Sequence, residues 1–294
     1  MRNPFKFARP KGPGFGIAAG AYLSVLAGRA TLPPITAVIA PKPEDGAVEG
    51  FGVPLGGEND KGRLAEPMAR GQYALATKDQ KTVLRLRVLP VDEAGFDPEV
   101  LVRSGLGARL SPEIVSRVRG TWWLAQLTFE SHDPDVYPAL DFLLDVAVRL
   151  GETTEGVVAD PIAHRYLLPA DLQTLRFAAG ERPVSVEAHV VASLVPGAAH
   201  SLGLQKFALP ELEITGLADG EEAIAGRYLL SAAQGVLEGT PIVSGSTLPA
   251  GRDRFEAREG GLDRARWEGV PVLELLPPTG RTAGELLRAW ESAL

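Results

Sequence analysis

The sequence predicts an α+β fold in which antiparallel or mixed sheets carry helices packed on one face. Residues 80–160 alternate between period-two and helical patterns and give strand, helix, strand, helix, strand. No long run of apolar β-branched residues follows, as the buried strands of a parallel sheet would require. Because residues 176–294 show a second alternation, two similar α/β-sandwich halves are one arrangement that the pattern allows.

The chain divides into three predicted parts. We expect residues 1–72 to form an N-terminal helix followed by an irregular extension rich in glycine and proline. Residues 73–175 are predicted to form the first α+β half, and residues 176–294 the second half with a C-terminal helix.

The N-terminal segment admits two interpretations. A short apolar run at 15–28 follows four basic residues, as in a secretory signal: Arg2, Lys6, Arg9 and Lys11. However, Arg29 occupies the position of the cleavage site, and the run is shorter than the roughly 20 apolar residues of a spanning helix. We expect this segment to form a helix docked on the surface of the protein, and we expect the protein to be cytoplasmic. The alternative is an exported or membrane-associated protein.

The segment after Pro33 and Pro34 is expected to begin with a strand at Ile35–Ala40. Residues 41–71 are then expected to be an irregular connection, because glycine, proline and charged residues dominate them. Their glycines are not followed by the Gly-Lys-Ser/Thr of a phosphate loop. We therefore expect no nucleotide and no other cofactor.

Local signals define the elements of the first half. Residues 82–88 alternate apolar and polar positions, which predicts a half-buried strand. Asp97 and Ser111 each precede a proline and are predicted N-caps of two helices, the second ending at Gly120. Residues 121–130 predict a strong strand whose Trp122 and Trp123 serve packing or, as the alternative, a ligand platform. A helix from Asp135 to Gly151 and a buried strand at 156–160 complete this half.

The second half contains fewer regular signals. Val184–Ser193 alternates apolar and polar residues and predicts a strand that ends at the turn Pro196-Gly197. A helix is predicted from Glu221 to Leu237, with Asp219 as its cap and Gly239 as its stop. A strand at 271–276 and a C-terminal helix with the capping box Thr282-Ala-Gly-Glu285 follow. We expect three residues of that helix to face the core: Leu287, Trp290 and Leu294.

Residues 200–214 are the least generic stretch of the chain. Glu211 and Glu213 share one face of a predicted strand, which suits acid/base chemistry or a metal ligand pair, although a solvated strand face is the simpler interpretation. The stretch His-Ser-Leu-Gly-Leu-Gln-Lys-Phe-Ala-Leu-Pro-Glu-Leu-Glu-Ile resembles the signature Thr-x-Gly-Met-x-x-Phe-Gly-x-Pro-Glu-Leu-Glu-Ile of an uncharacterised bacterial family of unknown function. Leu204 stands where that signature has Met, and Ala208 where it has Gly. The resemblance implies an α+β domain over residues 80–240 and no particular chemistry.

Composition excludes several classes of protein. The chain has 294 residues, a net charge of −7 and a pI near 5.3, which argues against nucleic-acid binding because such proteins present a basic surface. It contains no cysteine, so disulfides, thiolate nucleophiles and cysteine-ligated metals are absent.

The candidate site residues are histidines and carboxylates. The sequence suggests His189, His200, Glu211 and Glu213 as catalytic candidates, and Asp160 and His164 as metal ligands, provided that the fold brings them together. No His-Glu-x-x-His or Gly-x-Ser-x-Gly motif supports a particular reaction.

Three functional classes therefore stay open. We expect a non-catalytic interaction or regulatory module that binds a protein partner, because core patterns are plentiful and catalytic motifs are missing. The first alternative is a metal-dependent or acid/base enzyme using the His/Glu cluster at 189–213. The second is an envelope-associated protein anchored through residues 1–30.

Overall fold

The computed structural model describes residues 23–39, 53–54, 66–76, 82–131, 137–178, 180, 182, 184–260 and 269–294. These residues form eight α-helices and 13 strands arranged in two sheets, which confirms the predicted α+β class. Their contacts divide the chain into two compact units, with the division between Ala188 and His189. The unit before this division is called the first unit and the unit after it the second unit.

The sheet of the first unit has seven strands in the order β2-β3-β4-β5-β1-β6-β7, and every neighbouring pair is antiparallel. The strands have these bounds: β1 (Leu23–Ala27), β2 (Val53–Pro54), β3 (Gly71–Ala76), β4 (Thr82–Pro90), β5 (Trp123–Ser131), β6 (Val157–Asp160) and β7 (Arg165–Leu167). The predicted strands at 82–88, 121–130 and 156–160 are therefore confirmed.

Helices cover both faces of this sheet. Their bounds are α1 (Ile35–Ile39), α2 (Pro98–Arg103), α3 (Pro112–Arg119), α4 (Tyr137–Thr153), α5 (Pro169–Phe177) and α6 (Val186–His189), the last of which reaches the unit boundary. Val157 belongs to the core cluster that includes α3. The next residue, Val158, points to the opposite face, where its Cγ2 would lie 3.5 Å from a Cβ added to Gly151 of α4. The helices of this unit are thus not confined to one face.

Two predictions for the N-terminal region are wrong. The expected helix at 15–28 is a strand from Leu23 onward, and β1 is an interior strand between β5 and β6. Residues 15–22 are outside the described residues. All five residues of β1 are buried, so no period-two pattern marked it as a strand. The expected strand at Ile35 is helix α1, in which Ile35 and Val38 are buried at helical spacing.

The sheet of the second unit is mixed and has six strands in the order β11-β12-β13-β10-β9-β8. β10 runs parallel to β13, and the other pairs are antiparallel. The strands are β8 (Val191–Val195), β9 (Ala198–Leu202), β10 (Glu211–Thr215), β11 (Thr247–Ala250), β12 (Asp253–Glu259) and β13 (Val272–Leu276). Helices α7 (Glu222–Leu237) and α8 (Ala283–Glu291) pack on each other and on this sheet.

The expected strand at Val184–Ser193 is wrong for its first part, which forms α6, with β8 beginning only at Val191. Its supposed polar positions Ser185 and His189 are as buried as their apolar neighbours, so the alternation did not reflect an exposed face.

Helix ends differ from the predictions in smaller ways. The cap position of α7 is occupied by Glu221 and not by Asp219, and α4 continues past Gly151 to Thr153. In α8 the capping box is confirmed, but Leu294 is 87% exposed and does not face the core.

Within the described residues, none of the helices has the length and apolar character needed to cross a membrane.

Candidate functional site

The conspicuous stretch at 200–214 forms a tight connection between two neighbouring strands of the second unit. After β9, Gly203 adopts φ +131°, a 3₁₀ turn spans Leu204–Phe207, and Ala208 has a left-handed φ of 55°. A Cβ on Gly203 would overlap the carbonyl oxygen of His189, so both the backbone angle and the lack of space require glycine. The connection returns the chain so that His200 of β9 lies opposite Glu213 of β10.

Glu211 holds this connection together. Its Oε1 accepts hydrogen bonds from the backbone N–H groups of Gly203 (2.7 Å) and Gln205 (3.1 Å). Its Oε2 accepts from Ser201 Oγ (2.6 Å), and that hydroxyl oxygen in turn accepts from the N–H of Leu212 (2.8 Å). The carboxylate is fully buried and both its oxygens are used by protein donors. The expectation of a solvated strand face is therefore wrong for Glu211.

Lys206 brings a positive charge into the same region. It is 1% exposed, and its Nζ donates a hydrogen bond to the carbonyl oxygen of His189 (2.6 Å). The imidazole of His189 packs edge-on against the ring of Phe207, with centroids 5.4 Å apart. The backbone of His189 thus serves as an acceptor, while its ring lies in a packed, buried environment.

His200 and Glu213 are also buried, at 0% and 3% exposed. They face each other across β9 and β10. Ala192 and Leu194 of β8 contact α7 at Gly226, so Ser193 between them and its partner His200 point to the other side of the sheet. On the neighbouring strand, Glu274 of β13 is the parallel partner of Glu213, and its Oε1 accepts a hydrogen bond from Thr215 Oγ1 (2.6 Å). Two carboxylates therefore lie side by side on β10 and β13, with Glu213 buried and Glu274 half-buried.

The two predicted metal ligands lie in the first unit and shape a turn. Asp160 is buried; its Oδ1 accepts from the N–H of Ala163 (3.0 Å), and its Oδ2 lies 3.3 Å from Arg165 Nε. The guanidinium of Arg165 also donates to the carbonyl oxygens of Glu187 and Ala188. His164 is exposed with φ +50°. The contacts of Asp160 therefore stabilise the turn between β6 and β7.

The structure brings four of the six candidates into one unit: His189, His200, Glu211 and Glu213. Nowhere in the described part of the chain do three or more His, Asp or Glu side chains form a group that could hold a metal ion. His132, a further histidine of the sequence, lies outside the described residues.

The open concave surface of the second unit lies elsewhere. A groove of about 390 Å³ runs between α7, the C-terminal end of α8 and β11, and we call it the Trp290 groove. The residues that define it are Tyr228, Gly235, Pro241, Ile242, Leu248 and Trp290. Its full lining, all within the described residues, contains no charged side chain. Burial raises the pKa of the Tyr228 hydroxyl above its usual range, so the wall it forms stays neutral.

A second groove of about 780 Å³ adjoins the first and is called the Val243 groove. Its walls include Leu209, Ile242, Val243, Pro271 and one charged residue, Glu259. Pro241 and Ile242 line both grooves, and Val243 is 61% exposed. The sequence carried one signal for this surface, the apolar run Pro-Ile-Val inside a connection otherwise rich in polar turn residues.

Comparison of the chain with protein-family models, with curated proteins and with solved structures finds no match.

Proposed function

We propose that this protein is a non-catalytic interaction module that binds a neutral, apolar peptide segment of a partner protein along the Trp290 and Val243 grooves. The observation that carries the proposal is an uncharged lining at the Trp290 groove, which Pro241 and Ile242 join to a second, mainly apolar groove with Glu259 as its one charged lining residue in the described part of the chain. Two adjoining grooves with mainly apolar walls and neutral polar groups suit a peptide, and exposed apolar patches mark interaction sites.

Strand addition is a poor explanation for binding at this surface. β11 is an edge strand, but its Pro249 has no N–H to donate, and the Pro249 carbonyl oxygen already accepts a hydrogen bond from Tyr228 Oη (3.0 Å). The edge is therefore blocked where a partner strand would pair. Insertion of side chains into the grooves fits the geometry better.

The enzyme alternative receives less support from the geometry. Glu211 has both oxygens engaged by protein donors, and His200 and Glu213 are shielded from solvent. A general acid or base must come within hydrogen-bonding reach of a substrate. The envelope alternative depends on residues 1–30, of which Leu23–Ala27 is a core strand and residues 1–22 are outside the described residues.

A peptide selection with matched variants tests the proposal. Random peptides displayed on phage are selected against the full-length protein, and selected peptides are then titrated against Val243→Asp and Val100→Asp. Both valines are strongly exposed, 61% and 66%, so neither change should unfold the protein, but Val100 lies on α2 in the first unit. We expect neutral apolar peptides whose affinity falls at least tenfold with Val243→Asp and stays within twofold with Val100→Asp. Peptides that bind all three proteins equally would refute the proposal.

A further inference from the structure

Gly235 is the residue of the Trp290 groove that packing does not explain. It lies inside α7, where glycine lowers helix stability relative to alanine because the unfolded chain gains conformational freedom. A Cβ added at Gly235 would meet no atom within 4 Å beyond its own helical turn and chain neighbours. Neither a close neighbour nor a left-handed backbone angle therefore requires glycine here.

The other glycine of α7 provides a direct contrast. A Cβ on Gly226 would lie 2.9 Å from Leu194 Cδ2 and 3.1 Å from Ala192 Cβ, so the close packing of α7 on β8 accounts for that glycine. At Gly235, the missing side chain instead leaves space in the Trp290 groove, whose lining includes this residue.

One wall of this space is formed by two aromatic rings in contact with each other. The rings of Tyr228 and Trp290 meet edge to face, with centroids 5.2 Å apart and an interplanar angle of 87°. Tyr228 is 4% exposed, its ring centroid lies 5.2 Å from that of Phe255, and its hydroxyl donates a hydrogen bond to the carbonyl oxygen of Pro249. Offset and edge-to-face geometries are those that aromatic rings prefer, so this wall is suited to receive a further ring.

The polar side-chain groups of the lining are hydroxyls and the indole N–H of Trp290. Ser231 and Thr240 line the groove and are exposed, so they can bond to a neutral polar atom at the edge of an inserted ring. A charged group would lose hydration without finding an opposite charge among the lining residues. The volume of about 390 Å³ lies at the lower end of the roughly 300–1,000 Å³ of small-ligand pockets.

We propose that Gly235 keeps the Trp290 groove open for one neutral aromatic side chain, which anchors the bound peptide. This inference rests on the proposed function and specifies the chemistry of the partner: a Phe, Tyr or Trp without a neighbouring charge.

The test uses N-acetyl-L-phenylalaninamide as a probe, titrated into isotope-labelled full-length protein while backbone amide resonances are recorded. We expect saturable shifts confined to the Trp290 groove residues, and at least tenfold weaker binding of the anionic N-acetyl-L-glutamate. Gly235→Leu, which fills the open space, should weaken probe binding at least tenfold. Ala223→Leu adds a comparable apolar group at an exposed position of the same helix and should change it less than twofold.

Ala232→Leu, at another lining position of α7, provides a second blocking variant should Gly235→Leu prove unstable in a thermal melt. Unchanged probe binding in a folded blocking variant, or shifts located away from the groove, would overturn the inference. Selected peptides that depend on Val243 but neither contain an aromatic residue nor respond to Gly235→Leu would also overturn it and leave the proposed function standing. A third outcome is that probe binding depends on Gly235 while the selected peptides bind Val243→Asp as well as the wild type. This outcome would support the aromatic pocket and refute the proposed peptide-binding function.

Discussion

At the scale of single residues, one of the two glutamates that the sequence suggested as catalytic candidates makes structural contacts. Glu211 accepts hydrogen bonds from one hydroxyl and two backbone N–H groups, all from the segment Ser201–Gln205. Charge-assisted bonds of this kind are stronger than neutral ones, and they fix the 3₁₀ turn between β9 and β10. A buried carboxylate can thus be needed for folding without being available for chemistry.

Replacing Glu211 tests this role. Glu211→Ala leaves three donors without their acceptor. We expect it to lower the free energy of unfolding by at least about 3 kcal/mol, since each unsatisfied buried group costs roughly 1–3 kcal/mol. Glu211→Gln should cost only about 1 kcal/mol, because its oxygen can still accept from Gly203 and Gln205 while its amide donates to the free lone pair of Ser201 Oγ. Urea unfolding measures both values.

Glu259→Ala on the same sheet is the control for Glu211, since Glu259 is exposed and surface changes stay within about 0.5 kcal/mol. Equal stability of Glu211→Ala and Glu259→Ala would contradict the structural role. The same experiment separates it from the enzyme alternative, which requires a variant that folds normally and loses activity.

At the scale of elements, the start of α7 is tied to the β8–β9 hairpin through Glu222. Its Oε1 accepts from the N–H of Gly197 in the hairpin turn (3.2 Å), and its Oε2 accepts from the N–H of Gly220 (2.9 Å). Backbone N–H groups, first its own and then those of Gly197 and Gly220, hold the pKa of Glu222 below its usual range. The tie therefore depends on the ionised carboxylate.

This tie predicts how stability depends on pH. A lowered pKa in the folded state means that the stabilisation is complete above the unfolded value of about 4.3, and that it is lost as the pH falls through the folded value. The difference in unfolding free energy between the wild type and Glu222→Gln should thus be constant from pH 7 to about 5 and shrink toward pH 3. Urea unfolding at each pH measures it, and a difference that grows on acidification would contradict the assignment.

β1 provides a second prediction at the scale of elements. Its residues were expected to belong to an N-terminal helix, with a membrane anchor as the alternative. Leu26 is 1% exposed and packs in the cluster with α3, so Leu26→Ala should lower the free energy of unfolding by about 2–5 kcal/mol. Arg29→Ala removes only an exposed ion pair with Glu155 and should cost less than about 1 kcal/mol. Thermal and urea unfolding provide the comparison; an undiminished stability of Leu26→Ala would show that β1 is dispensable.

At the scale of the whole molecule, the two units use the same class of fold with different sheets. The first unit has an all-antiparallel sheet, and the second has a mixed sheet with one parallel pair. In each unit, a basic side chain donates hydrogen bonds to backbone carbonyl oxygens next to the division after Ala188. Arg165 of the first unit donates to the carbonyl oxygens of Glu187 and Ala188, and Lys206 of the second unit donates to that of His189. Cations at the end of a helix are favourable because its last carbonyls carry partial negative charge.

The sequence alone determined the features that depend on neighbours a few residues away. The caps at Asp97, Ser111 and Thr282 and the alternation in β4 and β5 predicted elements that the structure contains, because a cap or a period is a property of one short segment. The α+β class followed from the order of those elements.

Only the tertiary structure decided which residues are covered and what lies beside them. β1 was assigned wrongly because all five of its residues are buried, which removes the periodic signal. α6 was assigned wrongly because Ser185 and His189 are buried like their apolar neighbours, so the alternation in the sequence did not reflect exposure. Glu211 is buried because distant backbone donors surround it, and the Trp290 groove exists because α7, α8 and β11 meet around Gly235. Burial and concavity are set by segments far apart in the chain, and no local pattern records which of them will meet.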